Sequence, residues 1–142
     1  MVYFIADKCL RDVYVRGKYR DVILPMVVLR RLDTLLEPTK AEVLEEVHFQ
    51  KDEMKATELD DAPLKAASGY VFFNTSKWTL KQLHATATNN QQILLANVED
   101  YLGGFSDNVK YNISRFKLLE QMRHIADKQV LLDVLEKFMS YA

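Results

Sequence analysis

Three histidines, His48, His84 and His124, and one cysteine, Cys9, are the side chains best suited to metal or nucleophilic chemistry, and their spacing supports neither. No His or Cys pair has the short interval of a zinc site, so each histidine is read as a surface or hydrogen-bonded polar residue. Cys9 has no His or Asp near it in sequence and reads as a small core filler. As the lone cysteine it permits no internal disulfide, which suits a reducing compartment. The glycines at 17, 69, 103 and 104 cannot spell a phosphate-cradling loop. The carboxylates follow helical surfaces and give no reason to single out a general acid and base. Ser76 and Ser106 read as caps. Asn74-Thr75-Ser76 and Asn112-Ile113-Ser114 match the glycosylation pattern but lack a secretory signal, and are taken as chance.

What remains is charge. The net charge of the 142 residues is -1. Yet positions 8–31 hold seven Lys or Arg against Asp12 and Asp21, whereas positions 32–61 hold ten acids against Lys40, Lys51 and Lys55. A basic end facing nucleic acid fits this asymmetry, and so do two solvated helix faces that attract one another. The sequence pI of 6.3 lies below that of an autonomous nucleic-acid binder.

The elements that must position these groups are helical. Tyr3, Phe4, Ala6, Leu10 and Val13 recur at three- and four-residue spacing and predict a short helix ending before Gly17. After the loop RGKYRD comes ILPMVVLRRLDTLLEP, apolar on most faces, which predicts a central buried helix starting near Leu24 or kinked at Pro25. Arg30 and Arg31 differ by about 100° around that helix. One is free to pair with Asp33 or an acid of the next helix while the other points outward. Glu37-Pro38 closes the helix, and Thr39 with Glu42 reads as a capping box for a second helix that turns Val43, Leu44 and Val47 inward. The polar stretch 50–62 reads as a frayed end or linker. GYVFFNTSKW predicts an extended piece near 70–74 leading to a turn. Thr79 caps a short helix, Gly103-Gly104 stops the next by accepting the left-handed conformation, and Ser106 caps another. From Leu119 to Met139 the spacing predicts two helices broken near Asp127.

Length and composition agree with a single all-α bundle of roughly six to eight helices over 1–142. The apolar run Val22–Leu29 is far shorter than the roughly 20 residues of a membrane span, and the N-terminus MVYFIADKCLRD lacks a signal-peptide pattern. A soluble, cytoplasmic protein is expected.

Three blocks in order, RGKYRDVILPMVVLRRLDTLLEPTK, FFNTSKWTLKQL and YLGGFSDNVKYNISRF, resemble the N-terminal helical domain of the modification (methyltransferase) subunit of type I restriction-modification systems. The likeness runs from about Phe4 to Phe138. It implies a subunit that methylates adenine N6 in DNA with S-adenosylmethionine, works with a specificity subunit, joins a restriction subunit and has a possible second methyltransferase copy as neighbour. The family's Asn-Pro-Pro-Phe motif, which holds a flipped adenine, is absent, since Pro25, Pro38 and Pro63 are never adjacent. The chain therefore reads as an N-terminal domain, inactive alone.

Under that resemblance the leading expectation is a DNA-binding and assembly domain. Phosphate contacts would come from Arg16, Lys18 and Arg20, from Arg30 or Arg31, and from Lys77, Lys81, Lys110 and Arg115. Asn74, Ser76 and Trp78 form a second candidate surface, Trp78 being suited to base stacking or to the core. The alternatives are a scaffold that docks the specificity subunit or another methyltransferase copy, marked by an exposed apolar patch, and an independent helix-turn-helix regulator, for which the strongest helix is too oily.

Overall fold

The computed structural model describes residues 20–87, 90–129 and 131–140, with side chains described only within 23–137. The sequence-predicted helix over 3–13, Cys9, Arg16 and Lys18 lie outside these residues, and Arg20 is described in backbone only. Among the described residues, α-helices form eight elements: α1 (Arg20–Leu36), α2 (Lys40–His48), α3 (Asp61–Ser68), α4 (Leu80–Ala85), α5 (Gln91–Gly103), α6 (Asp107–Arg115), α7 (Leu118–Asp127) and α8 (Leu131–Ser140). Among the described residues there is no strand, only an antiparallel bridge between Asn74 and Phe105. The all-α expectation holds, including the extended piece at 70–74 and the break after Asp127.

α1 begins earlier than expected. Within the described residues it already runs from Arg20 and carries Pro25 inside it. Proline costs a helix the bond from its own nitrogen and crowds the carbonyl four residues back. The helix ends at Leu36, where Glu37–Thr39 tightens into a 3-10 turn around Pro38.

Ile23, Met26 and Leu29 of α1 enter one core with Leu94, Val98 and Tyr101 of α5, Met122 and Ile125 of α7, and Leu131 and Val134 of α8. Val43, Leu64 and Phe73 form a smaller core between α2, α3 and the extended piece. Each such burial contributes on the order of 1.5–3 kcal/mol. α1 is not buried all round, however. Leu24 is 60% exposed and Val28 52% exposed. Among the described residues, the apolar circumference that suggested a fully enclosed helix is covered on one side.

The stretch 50–62 is no linker. Gln50, in a π-helical turn over Phe49–Glu53, is buried. Its Oε1 accepts from the Asp60 amide at 2.6 Å and its Nε2 donates to the Asp60 carbonyl at 3.1 Å. α3 then follows at once, with the Asp60 carboxylate capping Ala62 and Gly69 at φ +80° closing its end. Only glycine takes that left-handed conformation at no steric cost.

Candidate functional site

The residues of the second and third sequence blocks meet across the bundle. The Ser106 amide donates to the Phe73 carbonyl at 2.9 Å, and the Phe73 amide to Ser106 Oγ at 3.3 Å. Thr75 donates its amide to the Gly104 carbonyl at 2.7 Å. Asn108 Nδ2 donates to the Val71 carbonyl at 3.0 Å. The extended piece 70–75 is thus laced to the turn between α5 and α6.

Asn74, 3% exposed, is the hub of this clasp. Its Nδ2 donates to the Tyr101 carbonyl at 2.8 Å. Its Oδ1 accepts from the Ser76 amide at 2.8 Å, the Ser76 hydroxyl at 2.6 Å and Lys40 Nζ at 3.1 Å. A buried amide with both ends engaged stabilises modestly when satisfied and is costly to disrupt. Gly104 completes the joint. A Cβ there would stand 2.6 Å from the Ser76 nitrogen and 2.8 Å from Asn74 Oδ1.

The first block joins through Asp33. Its Oδ1, buried on α1, accepts from the Leu80 amide at 3.0 Å and the Tyr101 hydroxyl at 3.0 Å. Burial pushes the Asp33 carboxyl above its usual range, opposed by the Leu80 and Tyr101 hydrogen bonds and by the Arg30 charge. Burial and the adjacent Asp33 raise the Tyr101 phenol well above its ordinary value. Lys40 is lowered to about 8 by burial, with Asp33 acting in the opposite sense.

Four expectations change at this joint. Asn74 and Ser76 do not form an outward surface; both are buried because their polar atoms close the clasp. Thr39 does not cap α2; its hydroxyl donates to the Ser68 carbonyl at 3.0 Å. Ser106 precedes α6 without a side-chain cap bond, its oxygen being taken by Phe73 and Asn108. Gly104 has φ -82°, so its requirement is close approach and not a left-handed turn. Thr79 does cap α4, accepting from the Gln82 amide at 3.2 Å.

The cationic candidates fall into three groups. On α1, Arg30 Nη1 donates to Thr34 Oγ1 at 3.1 Å and lies 3.8 Å from Asp33, while Arg31 is exposed. The two arginines divide as the helical angle requires. Before and in α4, Lys77 and Lys81 are exposed, with Lys77 Nζ 4.8 Å from the centre of the Trp78 ring. Trp78 is half-buried, packs on the core and donates its indole N–H to Asp100 at 3.0 Å. On α6, Lys110 lies 3.7 Å from Asp107, and Arg115 stands 5.8 Å from the Tyr111 ring centre.

Sequence reasoning missed Lys40, Tyr101 and Asn108 as parts of the clasp. Lys40 had been only a charge in a count. Tyr101 signalled itself through its spacing with Val98 and Leu102, which gave its face but not its hydroxyl's partner.

A groove of about 260 Å3 lies between α1 and α6, walled by Pro25, Val28, Leu32, Phe72, Ile113 and Phe116. Among the described residues its polar lining is two asparagines, Asn108 and Asn112. Without a carboxylate for a ribose diol or a glycine-rich turn, these residues do not fit S-adenosylmethionine, and no methyl-transfer step is assigned to them. Among the described residues no helix is long and apolar enough to cross a membrane.

A family model described as the HsdM N-terminal domain matches residues 2–138. No curated protein and no solved structure matches the chain significantly.

Proposed function

Because the chain belongs to the HsdM N-terminal domain family, the N-terminal domain of the type I restriction-modification methyltransferase subunit, we propose that it holds and places. In this reading it positions double-stranded DNA by phosphate contacts and helps assemble the subunit with its specificity and restriction partners. Adenine-N6 methylation with S-adenosylmethionine belongs to another part of the full-length subunit.

One observation supports this best. The polar residues shared by the three sequence blocks bond to one another, through Asp33, Asn74, Thr75, Tyr101 and Ser106, and so build a rigid frame without an open acid, base or nucleophile. Lys77 and Lys81 are left outward beside that frame. Flexible cations on a rigid support suit phosphate contacts that position a duplex without reading its sequence.

Titration of a labelled duplex from 50 to 200 mM salt tests it. The expected result is a log–log slope worth several released counterions, reduced by about one for each of Lys77→Ala and Lys81→Ala. No binding at the lowest salt, or a slope untouched by the double substitution, rejects these phosphate contacts. A scaffold that docks another subunit is the second reading, favoured by the exposed Leu24, Val28 and Phe116.

A further inference from the structure

A small cavity of about 10 Å3 lies inside the joint, where α1, the start of α2 and the entry to α4 meet. Among the described residues its polar lining is Asp33, Glu37, Lys40, Asn74, Thr79 and Tyr101. The hydrogen bonds around it leave one acceptor and two donors over. Asp33 Oδ1 takes the Leu80 amide and the Tyr101 hydroxyl. Among the described residues the partner of Oδ2 is the Arg30 guanidinium at 3.8 Å, too long for a hydrogen bond. Lys40 Nζ gives two of its three protons to Asn74, to Oδ1 at 3.1 Å and to the carbonyl at 3.4 Å. Thr79 Oγ1 accepts from the Gln82 amide and keeps its own proton to give.

Asp33 and Lys40 thus line one cavity without bonding to each other. A buried carboxylate with an unused oxygen and a partly buried ammonium with an unused proton are costly unless something joins them. Across such a gap the usual joiner is a water, which bridges two groups nearly as well as a direct bond. Size and charge both identify the occupant. Roughly 10–15 Å3 is the room that one water needs, and the cavity offers no more. An anion would meet the carboxylates of Asp33 and Glu37, and a cation would meet Lys40. A neutral molecule that both accepts and donates suits all of them.

We propose that this cavity binds one structural water, which accepts from Lys40 Nζ and the Thr79 hydroxyl, donates to Asp33 Oδ2, and joins the two charges into a water-bridged pair. The protein's own bonds tie α1 to α4 and α5 through Asp33, and α2 to the extended piece through Lys40. The water links these two sets into one network. The inference is independent of the function proposed above.

A crystal structure of the full chain at neutral pH, at a resolution that shows ordered solvent, tests it. The expected result is a single peak about 2.7–3.2 Å from both Lys40 Nζ and an Asp33 oxygen, and loss of that peak in Lys40→Met, whose thioether has no proton to give. Carbon-13 NMR at Lys40 Cε gives an independent reading in solution. The charged and titratable groups facing Lys40 there are Asp33, Glu37, Arg30 and Tyr101, and the Asp33 charge holds the ammonium's midpoint up against the effect of burial. Asp33→Asn keeps the shape and removes that charge, so the midpoint shifts further down, with a melting curve confirming that the variant folds. An empty cavity, a peak bonded to only one of the pair, a direct Asp33–Lys40 contact, an ion, or a side chain in the cavity overturns the proposal. A midpoint that Asp33→Asn leaves in place overturns it too.

Discussion

Met26 and Val28 are two residues apart on α1, yet one is fully buried and the other half open to solvent. The same contrast separates the two sides of the helix. The inner side, with Ile23, Met26, Leu29 and Asp33, is fixed by close packing and by hydrogen bonds that reach α4 and α5. The outer side carries Arg31 and two equally apolar residues, Leu24 and Val28, that the described residues leave exposed. Composition is thus a poor guide to burial within one helix. A residue's angle decides, and apolar residues in excess of the core's needs mark where a neighbour belongs.

The largest break in that comparison is Met26→Ala. Removing a side chain with no exposure leaves a cavity among well-packed neighbours and costs about 2–5 kcal/mol. Val28→Ala, at the groove, costs about 0.5 kcal/mol or less in the chain alone. Urea denaturation of the two variants measures the difference, and near-equal losses would erase the inner and outer distinction.

Next comes Gly104→Ala, which sharpens the contrast between the clasp and the open face. The added Cβ meets the Ser76 nitrogen at 2.6 Å, a backbone atom that must move together with its bond to Asn74. Overpacking of this kind costs about 1–3 kcal/mol. At Gly103, whose Cβ position is open and whose φ is not left-handed, Ala is tolerated and improves helix propensity by up to about 1 kcal/mol. A thermal melt in which the two glycines respond alike would refute the close-approach account.

How much of this was legible depended on the range of the interaction. The helical character of α1, the division of Arg30 and Arg31, and the break after Asp127 follow from spacing of a few residues, and the sequence carries that spacing directly. The Thr79 cap was legible for the same reason. Thr39 and Ser106 occupy equally good capping positions, but a carbonyl 29 residues away takes the first hydroxyl and an amide 33 residues away engages the second. Gln50 looked solvated because its neighbours are charged, and only the fold brings Asp60 to it. α3 did leave local signs in Asp60, in Pro63 within the first turn, and in Gly69 just past the end. The clasp left almost none, since Asn74, Ser76 and Gly104 resemble loop residues until the two blocks meet. A polar block read as an outward surface proved to be the inward joint, and an apolar block read as wholly inward keeps an outward face.

The smallest expected effect tests the border between the two regions, where Lys40 reaches the clasp from the surface. Burial holds its ammonium at about 8, against 10.5 for an unconstrained lysine. Between those values the unfolded chain binds more protons at this site than the folded one. This group therefore makes stability rise as the pH is raised from about 8 to 10.5. Below 8 both states are charged and the cost of burying the charge is constant. Lys40→Met removes that cost but also the donor to Asn74 Oδ1, so its net effect at pH 7 is about 1 kcal/mol or less. Urea titrations at pH 7, 8, 9 and 10 isolate the linkage as the difference between the parent and variant curves, which also cancels the opposing titration of Tyr101. The parent gains on the variant across that window. Parallel curves would mean that Lys40 is solvated like the cations of the open face, and would place the border of the clasp at Asn74 itself.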